Sequence, residues 1–225
     1  MGGVDANRIT TVRSSKKTSR CSPAEKSKAR ETLYGIKDLS PDGSFYVVAA
    51  SRLVPDKGLP ILIEAFRRLM RELPRCRLII AGEGPLENSL KISAKSMMES
   101  GHVVFLGFRK DVPELLLGAD VFVIPSLSEG LGSTIIEAMM ARTAVIGSLV
   151  EGIPELVRNG ETGLTVAPGQ SGELFEALLK LAEDEATRHQ LADNALAWAE
   201  ANCTPRTMVS KTFDVYTRIL ELSSK

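Results

Sequence analysis

From residue 45 onward the chain alternates short, wholly apolar runs with longer amphipathic ones. Phe45–Ala50, Arg77–Ala81, Val103–Leu106, Val121–Ile124, Ala144–Ile146 and Gly163–Val166 read as strands buried on both faces. Between the first two, Leu59–Leu73 sets Ile61, Leu62, Ala65, Phe66 and Leu69 on one helical face. Further helical patterns cover Leu86–Met98, Val112–Leu117, Thr134–Ala141 and a turn at Ile153–Val157. Leu174–Ala182, Ala186–Ala201 and Pro205–Leu222 read as three final helices. Strands alternating with helices predict an α/β fold, a doubly wound parallel sheet of Rossmann-like type. Ligands of such sheets bind beyond the carboxyl ends of the strands. Five loops fall there: Ser51–Gly58, Gly82–Pro85, Gly107–Asp111, Pro125–Ser133 and Gly147–Pro154.

The first forty residues differ in kind. Residues 1–21 are polar and aperiodic, and read as linker. Ser22-Pro-Ala-Glu25 has the form of a capping box opening a short helix to about Tyr34, stopped by Gly35, and Ser40-Pro-Asp-Gly43 is a turn. The expected division is therefore 1–40 as linker and short helix, and 41–225 as one binding domain. Twenty-eight basic and 28 acidic residues cancel over the 225. Residues 1–40 nevertheless hold nine Lys/Arg against four Asp/Glu, with one aromatic residue, Tyr34, among them. That basic excess reads as a solvated linker rather than a nucleic-acid arm, and no nucleic-acid partner is expected. Three cysteines without a CxxC pair suit a reducing compartment and argue against structural zinc. The N-terminus is polar and no apolar run approaches the ~20 residues of a spanning helix, so a cytoplasmic location is expected.

The most informative stretch is Pro125–Met140. It sets Glu129 in a strand-to-helix loop and Glu137 eight residues later, one turn into a helix. Between them Gly130, Leu131, Gly132, Ser133 and Thr134 lead into the helix, whose first N–H groups lack intrahelical partners. Such amides and the helix dipole favour phosphate. A carboxylate only accepts hydrogen bonds, which suits sugar or ribose hydroxyls. Glu137 lies among Ile136, Ala138, Met139 and Met140, so it should be partly buried and need donors. Arg52 and Lys57 follow the first strand, where two cations can hold a diphosphate and offset the charge that grows on it as it leaves. Hydroxyls, phosphates and hydroxyls in series describe a nucleotide-sugar. Gly107-Phe-Arg-Lys-Asp111 is a simple connection or a base contact, where Phe108 or Val112 can border the ring, and Glu151-Gly-Ile-Pro154 can face a sugar or form a simple turn. Gly82-Glu-Gly-Pro85 is not the GxGxxG fingerprint, which counts against a plain dinucleotide site. His102 and His189 adjoin no motif and read as structural or exposed.

These elements resemble the donor-binding, C-terminal half of a GT-B glycosyltransferase of retaining family 4, the glycosyl transferases group 1. The resemblance runs from about Phe45 to Leu222. It rests on Glu129-x7-Glu137, Arg52-x4-Lys57-Gly58, the turn at 82–85 and Gly152-Ile-Pro-Glu155, with Gly2-Gly-Val-Asp5 similar to an interdomain opening. It implies that Glu129 contacts the donor sugar, Glu137 the ribose, Arg52 and Lys57 the diphosphate, Gly130–Thr134 sugar and phosphates, and the loop after Gly107 the base. Arg52, Lys57 and Glu129 are thus the expected catalytic set. Phe108, Gly130, Leu131, Gly132, Ser133, Thr134 and Glu137 are the expected donor-binding set. No metal or cofactor is expected; the nucleotide-diphosphate sugar is substrate. Two positions depart from the pattern: Glu151, and Arg142 in Arg142-Thr-Ala144, stand where relatives often carry glycine.

The resemblance also implies an N-terminal acceptor domain as partner, through which any membrane association would run. The final helix, with Met208, Val209, Phe213, Tyr216, Ile219 and Leu220, is expected to pack against it. The expected function is donor binding in a hexosyltransferase that moves sugar from a UDP- or GDP-sugar to a saccharide or lipid-linked acceptor. The expected activity of the isolated chain is weak or nil. A non-catalytic sensing or scaffold module and a sugar-nucleotide epimerase of the same architecture are the alternatives.

Overall fold

The computed structural model describes residues 23–34 and 44–223. The 1–21 linker, Ser22 of the capping box, Gly35 and the Ser40–Gly43 turn lie outside the described residues. Six parallel strands form one sheet in the order β3-β2-β1-β4-β5-β6. They are β1 (Phe45–Ala50), β2 (Cys76–Ala81), β3 (Val103–Phe105), β4 (Val121–Ile124), β5 (Ala144–Ser148) and β6 (Leu164–Val166). The helices among the described residues are α1 (Pro23–Tyr34), α2 (Leu59–Glu72), α3 (Glu87–Ser93), α4 (Lys95–Glu99), α5 (Val112–Gly118), α6 (Ser133–Met140), α7 (Ile153–Leu156), α8 (Ser171–Glu183), α9 (Glu185–Asn202) and α10 (Pro205–Ser223).

The apolar strand runs have the physical cause expected of them, since side chains alternate between two cores. Val47, Ala49, Leu78, Ile80, Val123 and Ile146 face α2 and α8. Tyr46, Val48, Ile79, Phe122, Ile124 and Val145 face α5, α6 and α7. Burying a Leu- or Phe-sized side chain contributes roughly 1.5–3 kcal/mol, so each such pair of positions holds one helix layer on either side. α1, grouped with the linker on sequence, packs against α5 through buried Leu33. Arg30 fastens it, donating to Asp120 Oδ2 at 2.8 Å and Gly118 O at 2.8 Å, with its guanidinium 4.4 Å above the Tyr46 ring. Asp120 also accepts from the Tyr46 N–H at 2.8 Å, so α1 and the start of β1 share one carboxylate.

Several elements differ from the sequence expectation, among them α8, which begins at Ser171 rather than Leu174. The single helix expected over Leu86–Met98 is two, broken at Ala94 (φ −95°, ψ 5°). The break keeps Leu90, Ala94 and Met97 all buried while Ile92 stays exposed. The loop after β1 contains a 3-10 turn, Pro55–Lys57, set up by the fixed φ of proline and closed by Gly58. β5 runs two residues further, to Ser148, because Gly147 and Ser148 pair with Thr165 and Val166 of β6. The last helix leaves Val209, Phe213 and Tyr216 each more than 60% exposed.

Candidate functional site

The strand order reverses between β1 and β4, so the loops after these strands turn away on opposite faces and open a crevice between them. The two loops are laced together. Leu127 N–H donates to Asp56 O at 2.7 Å. A Cβ on Gly58 would lie 2.0 Å from Pro125 O, and the residue is left-handed at φ +62°, so only glycine permits this approach.

A cleft of about 400 Å³ opens over this crossing, lined among others by Arg52, Glu83, Phe108, Arg109, Thr134 and Glu137. Arg52 follows β1, and among the described residues its guanidinium makes no ion pair. Phe108 is 65% exposed, an apolar ring left at the cleft mouth. Its N–H donates to Glu83 Oε1 at 3.2 Å, tying the loop after β3 to the loop after β2. Arg109 is held by Asp111, with Nε donating to Oδ1 at 2.8 Å. The hydrogen bond from Arg109 is the main reason the Asp111 carboxyl lies below its ordinary range, and it raises Arg109 in turn.

α6 begins with Gly132 at its N-cap, left-handed and without a side chain to cap the first turn. The first-turn amides therefore have no side-chain acceptor from the cap and suit an anion. Thr134 and Glu137, three residues apart, share the helix face on the cleft. Glu137 is half-buried, as its apolar neighbours imply.

Lys57 and Glu129 meet directly: Lys57 Nζ donates to Glu129 Oε2 at 2.6 Å, and each side chain is 15% exposed. Ser126 Oγ donates to the same oxygen at 3.2 Å. The Glu129 main chain is fixed as well. Its N–H and the Ser128 hydroxyl donate to the Glu151 carboxylate, and its carbonyl accepts from Gly152 N–H at 3.3 Å. Glu151 adopts φ +40°, a conformation costing a non-glycine residue roughly 1–2 kcal/mol.

Arg52, Phe108, Thr134 and Glu137 thus share one cleft. Lys57 and Glu129 form an ion pair across the same loop crossing, and neither lines that cleft. Gly130, Leu131, Gly132 and Ser133 make the connection into α6 and are not among the cleft-lining residues. Sequence reasoning missed Glu83, Ser126 and the bonds of Glu151. Only Glu151 carried a signal, as a side chain where glycine is expected. His102 bonds Ser100 and the Pro74 carbonyl, and His189 faces Glu185 at 3.7 Å, both away from the cleft. Among the described residues no three His, Cys, Asp or Glu side chains are grouped to hold a metal, and no helix is long and apolar enough to cross a membrane.

Residues 35–198 match the family model of glycosyl transferases group 1. The chain is 31% identical over 204 residues to the putative glycosyltransferase EpsD of Bacillus subtilis, covering 91% of this chain and 52% of EpsD. It is 32% identical over 208 residues to a Corynebacterium glutamicum GDP-mannose-dependent monoacylated α-(1-6)-phosphatidylinositol monomannoside mannosyltransferase, covering 88% and 50%. The crystal structure of Anabaena Alr3699/HepE in complex with UDP-glucose superimposes with a TM-score of 0.75 at 29% identity, covering 90% of this chain and 54% of that one. The chain spans about half the length of the curated relatives it matches.

Proposed function

The chain belongs to the glycosyl transferases group 1 family, and on that premise we propose that it binds the nucleotide-sugar donor of a retaining hexosyltransferase. The observation that carries this reading is the cleft at the β1/β4 crossing, where Arg52, Thr134 and Glu137 converge beside the Lys57–Glu129 pair. In the proposed pose the base lies by Phe108 and the ribose hydroxyls donate to Glu137. The diphosphate lies between Arg52 and the first turn of α6, and the sugar reaches Glu129. UDP- and GDP-sugars are the proposed donors, and a saccharide or lipid-linked hydroxyl the proposed acceptor. UDP-glucose in the Anabaena structure and the GDP-mannose dependence of the Corynebacterium enzyme support that donor class.

In the proposed reaction the bond from the sugar C1 to the terminal phosphate oxygen breaks as the acceptor oxygen bonds C1 on the same face, and the acceptor's hydroxyl proton passes to the departing phosphate oxygen. Negative charge then grows on the departing diphosphate. Arg52, Lys57 and the α6 amides offset it, a role that needs no metal ion. Lys57 is paired with Glu129. A bound diphosphate competes for Lys57 and frees the Glu129 carboxylate to accept from sugar hydroxyls.

The partner in this reading is an N-terminal acceptor domain, joined through residues 1–40, with residues 41–225 as the donor domain and α1 docked upon it. The half-length match to relatives supports it. The exposed Val209, Phe213 and Tyr216 of α10 are assigned to that interface. The buried Cys76 is a free thiol, which supports a cytoplasmic location. Calorimetric titration of the folded chain with UDP, GDP and ADP tests the reading. Binding of at least one, weakened by Glu137→Ala and by Arg52→Ala, is the expected result; no heat with any of the three refutes it.

A further inference from the structure

The loops after β4 and β5 are interlocked through one side chain that the proposed chemistry does not use. Glu151 sits at φ +40°, where glycine is at ease and a glutamate is strained. Its carboxylate accepts from the Glu129 N–H and, at 3.1 Å, from the Ser128 hydroxyl. The next residue completes the lock. Gly152 N–H donates to the Glu129 carbonyl at 3.3 Å, and a Cβ on Gly152 would lie 2.1 Å from the Gly130 carbonyl oxygen. Residues 151 and 152 therefore hold both polar groups of the Glu129 peptide, while Lys57 and Ser126 hold its side chain.

We propose that Glu151 is a positioning residue: its carboxylate fixes the Glu129 main chain, and so aims the Glu129 side chain at the sugar end of the cleft. The inference rests on the donor-site reading above. A strained backbone persists only where surrounding contacts impose it, and here the contacts are charge-assisted bonds to the loop that carries Glu129. The same carboxylate also occupies the Glu129 amide. Glu129 then meets a bound donor by its side chain alone. Glycine at 151 would relax the turn but leave that amide open and the loop tied only through Gly152. Glutamine would keep an acceptor oxygen at nearly the same place without the charge.

The test compares wild type, Glu151→Gly and Glu151→Gln by thermal melting and by calorimetry. Each is titrated with UDP and UDP-glucose and with GDP and GDP-mannose. The readout is the ratio of dissociation constants, nucleotide-sugar over nucleoside diphosphate, for the pair that wild type binds. Glu151→Gly is expected to leave nucleoside-diphosphate affinity within about twofold and to raise the ratio about tenfold, the size of one misplaced charge-assisted bond. Its melting temperature should hold, because the left-handed turn suits glycine. Glu151→Gln should return the ratio most of the way to wild type. An unchanged ratio in Glu151→Gly, or an equal loss for both ligands, overturns the positioning role while the donor site stands. A wild type that binds none of the four ligands removes the donor site and this inference with it.

Discussion

Replacing Lys57 by methionine leaves the Glu129 carboxylate facing Ser126 and the solvent that reaches it. The two charged atoms are 2.6 Å apart and each side chain is 15% exposed, so the pair sits between surface and interior. At 4 Å, two unit charges attract by about 1 kcal/mol in water and about 4 kcal/mol at an effective dielectric near 20. Exposed pairs couple by about 0.2–1 kcal/mol, and breaking a buried pair costs about 3–5 kcal/mol. The Ser126 hydroxyl, 3.2 Å from the same oxygen, stays behind and softens the loss. A coupling of about 1–2 kcal/mol is therefore expected in a cycle of Lys57→Met, Glu129→Gln and the double variant. Urea unfolding measures it directly. In a domain of this size about 1 kcal/mol moves the melting temperature roughly 2–4 °C, so Lys57→Met alone should melt several degrees lower. The double variant should recover part of that loss, since it leaves no unpaired charge. A coupling below about 0.3 kcal/mol would show the pair to be solvated, and Glu129 would then not be held by Lys57.

Gly58→Ala should cost at least about 3 kcal/mol in urea unfolding, because a left-handed alanine is strained and its Cβ would meet Pro125 O at 2.0 Å; a loss under about 1 kcal/mol would refute the close crossing. Arg142 is also left-handed, at φ +55°, and is paired with a half-exposed Asp193. Arg142→Gly relieves the backbone and loses the pair, so the net change should stay within about 1 kcal/mol. Arg142 holds the Asp193 carboxyl below its ordinary range. Its stabilisation is present above the usual carboxylate pKa and is lost as pH falls through the lowered one, and the variant should lose that part of the acid slope. Burial pushes the Cys76 thiol from 9.0 up to about 12. In the native protein it should resist iodoacetamide at pH 8 and react on unfolding, and stability should fall as pH rises from 9.0 through about 12. Equal labelling of Cys76 before and after unfolding would contradict its burial.

The strands were readable from sequence because each buries both faces and so becomes an uninterrupted apolar run. The break at Ala94 was not, since Leu90, Ala94 and Met97 are all buried and satisfy one continuous helical period across it. Arg52 and Glu137, which both line the cleft, stood out on sequence because their chemistry clashes with their surroundings: a cation after a buried strand, an acid in an apolar helix. That Lys57 and Glu129 bond one another was not legible. They are 72 residues apart, and only the β1/β4 crossing brings them together. Glu151 and Arg142 stood out on sequence as side chains in place of glycine. The left-handed turns explain the glycine preference, and the bonds to Glu129, Ser128 and Asp193 explain what this chain does with the side chains instead.

The two outermost strands, β3 and β6, are only three residues long. On the β6 side the amide of Thr165 is already taken by the Asn159 side-chain oxygen at 3.1 Å. A stray extended peptide therefore finds almost no ladder to lengthen at either rim. Such a sheet resists fibril growth, even though its interior strands are as apolar as those of aggregation-prone segments.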